Sequence, residues 1–175
     1  DQNGKQYGEE NIVSQVNIRG FNTYIIKTPR VLQTSKEFFN CETLDGAQLE
    51  NQGGSGSLGS HWERTTLHNE IMTASDVPRG SFSVFSLSLL HDSGWYVPDY
   101  NHAEKFIWGK GQGCKFVNQA CQSNQEFPEF CKNQGQVGCT YEHHFVGQCS
   151  ANDPFADNCA YVRGYSNRHC EDGKN

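Results

Sequence analysis

Eight cysteines constrain this chain more than any other feature: Cys41, Cys114, Cys121, Cys131, Cys139, Cys149, Cys159 and Cys170. Seven of them fall between residues 114 and 170, at spacings of seven to eleven. No two are separated by only two residues, so the knuckle of a zinc ribbon is missing. An even count at these spacings, in a Gly-, Asn- and Gln-rich context, reads as a disulfide framework and an oxidising compartment. Cys41 has no near neighbour, so it either reaches into the distal cluster or stays free. Once one pair is set, the remaining six cysteines allow fifteen connectivities.

Composition excludes several classes. A net charge of −6 over 175 residues argues against a nucleic-acid partner, which calls for a basic face. With 12% aromatic residues and 19% charged ones, the composition is not that of a disordered chain. No apolar run approaches the ~20 residues that span a bilayer. No Asn-x-Ser/Thr sequon occurs. There is no signal peptide and no initiator Met, as expected of a processed or partly observed polypeptide.

The chain in order gives few regular elements. Residues 1–20 are polar, and Asp1-Gln2-Asn3-Gly4 reads as a turn. Phe21 to Lys27 is aromatic and β-branched, which predicts a strand. Thr28-Pro29 predicts a helix start, with Thr28 as N-cap and Pro29 in the first turn. Val31, Leu32, Ser35, Phe38 and Phe39 share a face, so this helix should run to about Asn40. Residues 42–60 read as a loop. Ser81 to Ser93 predicts a second helix, apolar nearly all round, with Ser81 as N-cap and Gly94 at its C-terminal cap. Glu104 to Trp108 is a short amphipathic piece, and Thr140 to Val146 is the best strand candidate in the distal third.

The loop ends in Gly53-Gly54-Ser55-Gly56-Ser57-Leu58-Gly59-Ser60-His61-Trp62-Glu63. Met72, the sole methionine, follows His61 by eleven positions. Gly54, Gly56 and Gly59 match G-x-G-x-x-G formally, but no buried strand precedes them and no suitable helix follows. These glycines instead suit a backbone that needs positive φ and close approach before a ligand. Glu63 is expected to form a salt bridge or face solvent. His143 and His144, adjacent in the expected strand, would point to opposite faces and could not share a metal. His68, His91, His102 and His169 have no partner spacing and are assigned no role.

Many spaced residues carry a resemblance. Leu49 through Gly56, Ser60-His61-Trp62-Glu63, Leu67 and Asn69-Glu70-Ile71-Met72-Thr73 resemble the leishmanolysin family of metzincin zinc proteases. The likeness continues through Leu89-Leu90, Asp92-Ser93-Gly94-Trp95-Tyr96, Glu104, Trp108-Gly109, Gly113-Cys114 and Phe116. Pro29-Arg30-Val31, Phe39-Asn40-Cys41 and Tyr165-Ser166-Asn167 are similar too, so it covers roughly residues 20 to 170. It implies an α+β fold: the C-terminal subdomain of a metzincin (zincin-like) fold with few helices, then a disulfide-rich module of short strands and loops. It divides the chain into 1–60, a segment inserted after an absent active-site helix; 61–110, the metzincin C-terminal subdomain; and 111–175, the cystine-rich module. By the same resemblance Cys41 pairs with Cys114, Cys121 with Cys159, Cys131 with Cys149, and Cys139 with Cys170. Closing the 73-position loop from Cys41 to Cys114 is worth about 4 kcal/mol on the chain-entropy model.

The resemblance also assigns a site. His61 matches the third zinc ligand and Met72 the methionine of the Met-turn beneath the metal. A zinc endopeptidase takes two more histidines and a catalytic Glu from an H-E-x-x-H helix, and that motif is nowhere in these residues. No catalytic residue is therefore assigned in this chain, and alone it is expected to bind zinc weakly and hydrolyse nothing. The expected partners are the N-terminal part of the same protease, carrying H-E-x-x-H, and a peptide or protein substrate. Asp1 and the end shortly after Cys170 read as fragment boundaries. The expected location is extracellular or at the cell surface, with any membrane anchor lying in parts outside these residues. A noncatalytic, protease-like structural or adhesive component, self-associating in a surface matrix, is the alternative. A free cystine-rich binding module is weaker still, since it leaves the first 110 residues unexplained.

Overall fold

The computed structural model describes residues 8–121 and 127–170. The turn expected at Asp1 to Gly4 lies outside them. The described residues form an α+β structure with two three-stranded antiparallel sheets, ordered β1-β2-β3 and β4-β5-β6.

The first sheet begins with a hairpin. A single helical turn, α1 (Glu9–Ile12), leads into β1 (Val13–Ile18), which pairs with β2 (Phe21–Ile26). Residues 1–20 read as merely polar, so β1 is an addition to the sequence expectation. Its partner supplies the apolar face, with Ile25 and Ile26 buried. Arg19 and Gly20 turn the hairpin with φ of 54° and 89°, the left-handed pair that suits strand twist. Within the expected loop at 42–60, β3 (Ala47–Gln48) adds to β2.

Helix α2 (Pro29–Phe39) lies where the Thr-Pro start and the apolar spacing put it. Asn40 ends it in the left-handed conformation. Thr28 has extended cap geometry, but its side chain makes no cap bond. Asp92 does that work instead: its Oδ2 accepts from the Arg30 and Val31 amides at 2.9 and 3.2 Å. The buried carboxylate thus satisfies orphan donors where the helix dipole favours a negative charge.

Asp92 belongs to α4 (Val84–Asp92), which packs on α2. Small residues let the two helices approach: Ser35 is fully buried, and the Thr34 and Ser88 hydroxyls meet at 2.7 Å. Phe85 contacts Phe38 and Phe39, with ring centroids 5.2 and 5.8 Å apart. The helix starts later than its expected onset at Ser81, because Ser81 is already committed to the turn before it. Its amide donates to the Asn69 carbonyl at 2.7 Å, and its carbonyl accepts from the Ile71 amide at 3.0 Å. Ser83 caps α4 instead, accepting from the Phe85 amide. Gly94 follows the helix at φ 75°, as a C-terminal cap requires. Glu104 to Trp108, the short amphipathic piece, has no regular secondary structure. It is a loop burying Phe106 and Trp108, while the Glu104 amide donates to the Phe82 carbonyl.

A short α5 (Cys114–Asn118) leads to the second sheet of β4 (Val137–Cys139), β5 (Phe145–Ser150) and β6 (Tyr161–His169). The strand expected at Thr140 to Val146 is displaced. Residues 140–144 form the β4–β5 connection, in which His143 has φ 59° and its amide donates to the Thr140 carbonyl. His143 and His144 therefore do not alternate across a sheet. Gly147 is required in β5, since a Cβ there would lie 2.1 Å from the Arg163 carbonyl oxygen.

Four disulfides join Cys41 to Cys114, Cys121 to Cys159, Cys131 to Cys149, and Cys139 to Cys170, the pairs the resemblance implies. One apolar core runs through all of this. It includes Val31, Phe39, Trp62, Phe85, Trp108, Phe116 and Tyr161, together with Cys41, Cys121 and Cys159.

Candidate functional site

His61 sits at the end of the glycine loop, and the loop is ordered by its own backbone bonds. Gly53, Gly54 and Gly59 have φ of 81°, 68° and 71°. At Gly53 a Cβ would meet Phe155 and Ser57 at under 3 Å, so that glycine is a packing requirement as well as a conformational one. Gly54–Gly56 form a single 3₁₀ turn rather than the opening of a nucleotide-binding helix.

Two neighbouring segments then clamp His61-Trp62-Glu63. On one side, the Glu50 amide donates to the His61 carbonyl at 2.9 Å, and the Glu63 amide to the Gln48 carbonyl at 3.0 Å. On the other, the Trp62 amide donates to the Met72 carbonyl at 3.0 Å. Trp62 is thus joined by isolated bridges to Leu49 on one side and Thr73 of the methionine turn on the other, a small ladder. Trp62 is buried, and its indole donates to Ser86 Oγ at 3.1 Å, which anchors the ladder to α4.

The imidazole itself is half-buried. Ser60 Oγ donates to the Ser57 carbonyl at 3.1 Å and lies 3.0 Å from His61 Nδ1. The Ser57 carbonyl is a second acceptor, 3.4 Å from Nδ1. Nδ1 is therefore engaged; in the tautomer that carries its proton there, Nε2 holds the lone pair, the arrangement in which a histidine meets a metal. Met72 is 45% exposed and Ile71 55% exposed beside it.

Two carboxylate clusters hold this ladder; of their members only Glu63 carried an expectation from the sequence. Glu70 is fully buried in the methionine turn. One of its oxygens accepts from the Ser83 amide, Ser83 Oγ and Ser86 Oγ at 3.2, 2.9 and 2.6 Å; the other accepts from the Met72 amide at 2.6 Å. Burial raises its pKa, and these four donors oppose the rise. The carboxylate ties the methionine turn to the start of α4. Its signal in the sequence was only its place in Asn69-Glu70-Ile71-Met72.

The second cluster centres on Arg19, at the hairpin tip. Its side chain is 1% exposed. It donates to Asp157 at 2.8 and 3.1 Å, to Gln48 Oε1 at 2.8 Å and to the Val117 carbonyl at 2.8 Å. Glu63 lies 3.6 Å from the same guanidinium, so the expected salt bridge is present, though in the interior. Glu63 also caps α3 (Arg64–Leu67), accepting from the Thr65 amide. Asn51 bridges Glu63 and Asp157 with its amide group. Burial pushes Glu63 up, with Arg19 pulling against it. Glu50, buried nearby, is pushed up to about 8, first by burial and then by the Glu63 charge. These charges pin the ladder to the β1–β2 hairpin and to the connection between β5 and β6.

Among the described residues, no group of three or more His, Cys, Asp or Glu is placed to hold a metal. His61 offers one donor of the right chemistry, and the other ligands of a zinc site would come from elsewhere. His68, which has no role in the sequence reading, is buried against Trp108, with stacked ring centroids 4.1 Å apart.

Known proteins identify the scaffold. The chain is 34% identical over 163 residues to a leishmanolysin-like peptidase of Drosophila melanogaster, covering 84% of this chain and 23% of that protein. It is 28% identical over 194 aligned residues to the leishmanolysin of Leishmania major, covering 95% of this chain and 32% of that protein. A ciliated left-right organizer metallopeptidase of Danio rerio is 33% identical over 145 residues, or 80% of this chain and 23% of that protein. The class is therefore that of a metallopeptidase-related chain. The family model described as leishmanolysin matches residues 4–153, and the chain belongs to the leishmanolysin family. It spans less than a third of the length of each of these three relatives.

Proposed function

We propose that this chain is the distal portion of a zinc metalloendopeptidase, in which His61 is the third zinc ligand and Met72 forms the turn beneath the metal. The observation that carries this reading is the imidazole's setting: Nδ1 is held by Ser60 and Ser57, Nε2 is left for a ligand, and the segment is bonded to the Met72 carbonyl. His61 would hold the zinc through Nε2. When bound, the metal supplies Lewis-acid activation of a water for attack on a peptide carbonyl. Glu70 and the Arg19 cluster serve it by fixing the ladder, so that the imidazole is preorganised.

The catalytic Glu and the other two histidines belong, in this reading, to the N-terminal part of the same protease. Leu58, Ile71 and Met72 are 46%, 55% and 45% exposed in the two segments that flank His61, an apolar surface suited to that partner. Residues 1–60 are the inserted segment, 61–110 the C-terminal subdomain of a metzincin fold and 111–175 the cystine-rich module. Substrates are peptides or proteins. Four disulfides support an extracellular or cell-surface location. Among the described residues no helix is long and apolar enough to cross a membrane.

The test is peptide mapping of the native protein with zinc quantified in the same sample, followed by His61→Ala in the longer polypeptide. Peptides bearing H-E-x-x-H should copurify with about one zinc per molecule, and H61A should lower zinc content and peptidase activity together, by ~100-fold or more in activity. Native material that contains only these residues and no zinc would overturn the reading. So would an H61A protein that retains its zinc.

A further inference from the structure

A cleft of about 340 Å³ opens where α3 and the loop after Met72 meet the second sheet. Neither His61 nor Met72 lines it. A second hollow of about 320 Å³ shares Asn69, Arg79, Glu142 and His144 with it and extends to Glu104 and Lys105, so the two form one groove.

Its floor carries polar atoms with nothing to bond. His68 and Asn69 are each 7% exposed, and among the described residues His68 Nδ1 and Asn69 Oδ1 have no hydrogen-bond partner. Glu142 Oε1 is buried in the same condition. The groups cannot turn away. The His68 ring is stacked on Trp108 and meets Tyr161 edge-on at 4.3 Å, while the Asn69 amide nitrogen is held by Ser81 Oγ at 3.3 Å. Buried polar atoms of this kind normally have a partner.

One wall is a strand edge. Among the described residues β6 pairs with β5 on one side only, and Val162, Gly164 and Ser166 of β6 border the cleft. An open edge presents a row of N–H and C=O groups to whatever lies beside it. Around the cleft beside β6 the exposed charges are Arg79 and Arg163, neither ion-paired to an acid among the described residues, against Asp76; Glu142 sits in the floor, and at the far end Glu104 offsets Lys105.

We propose that this groove is a peptide-binding site that takes an extended, acidic polypeptide segment alongside β6. An extended backbone offers donors and acceptors in alternation, which fits both the open strand edge and the unpaired polar atoms of the floor. Acidic side chains on it answer Arg79 and Arg163. The inference stands on this groove alone and does not depend on zinc binding at His61.

The experiment titrates the full, disulfide-bonded 175-residue chain with two fluorescent octapeptides, one alternating Glu and Val and the other Lys and Val, and maps amide shifts by NMR. The Glu-Val peptide should bind at least ~10-fold more tightly than the Lys-Val peptide, with shifts concentrated at 76–79 and 161–166. The exposed-site double variant Arg79→Glu/Arg163→Glu, its fold checked by the same amide spectrum, should reverse the preference. Failure of the Glu-Val peptide to bind overturns the proposal and leaves the floor to ordinary water. Equal binding of both peptides, a preference unchanged in the double variant, or shifts away from the groove would also overturn it.

Discussion

A single buried histidine makes the energetics of this interior measurable. Burial holds the His68 pKa well below its ordinary 6.5, and the nearby Arg64 charge adds to the effect. Below about pH 6.5 the unfolded chain takes up a proton at this position that the folded chain does not. Stability from this residue is therefore intact above that pH and is lost as pH falls, by up to about 1.4 kcal/mol per pH unit. His68→Phe keeps the stack on Trp108 and removes the titration. Other groups titrate too, and Glu50 works in the opposite sense, so the quantity to compare is the difference between the two proteins. The urea midpoint of the wild type should drop relative to H68F between about pH 7 and pH 5. Parallel midpoints across that range would show that His68 does not stay neutral in the fold. None of this was visible in the sequence, where His68 had no partner spacing. Its environment is made by Trp108 and Tyr161, far away in the chain. Glu70 was equally hidden: a sequence places it next to Met72 but cannot show that two serines of a later helix converge on it.

Elements were legible where local chemistry decided them. The α2 span followed from a Thr-Pro start and a 3.6-residue apolar period, signals that tertiary contacts did not need to correct. Strand β1, by contrast, carries Ser, Gln and Asn between its apolar residues and is held as a strand by its partner β2. The start of α4 moved from Ser81 to Ser83 because the methionine turn claims Ser81. The distal strand moved past His143 because Gly147, a poor strand former by propensity, is the residue that fits against Arg163. Coupling between helices α2 and α4 gives a prediction at this scale. Asp92→Ala leaves the Arg30 and Val31 amides at the α2 N-terminus without their acceptor. It should cost about 2–3 kcal/mol, a lost cap together with buried unsatisfied donors. Asp92→Asn keeps an acceptor and loses the charge at the helix end, and should cost only about 1 kcal/mol. Guanidinium denaturation of both variants checks the order. A D92A protein as stable as wild type would mean that water caps α2 adequately.

Across the whole molecule, the apolar core and the disulfides act on the same unit. The core joins Ile26 and Val31 to Trp62 and Phe85, and continues to Phe127 and Tyr161. Arg19 reinforces the connection by binding Asp157, 138 positions away. A chain joined in this way should unfold as one cooperative unit, with coincident transitions in near- and far-ultraviolet circular dichroism. Each disulfide then restricts the same unfolded ensemble, and its contribution should grow with the loop it closes. Cys41–Cys114 closes a separation of 73 and Cys131–Cys149 one of 18. On the chain-entropy model their removal should cost about 4.4 and 3.2 kcal/mol. Replacing each pair by Ala and measuring guanidinium midpoints tests both the order and the cooperativity. If the Cys131–Cys149 variant is the less stable, or if it loses the second sheet in a separate early transition, the module folds apart from the rest. In that case the shared core is a contact between two independent units.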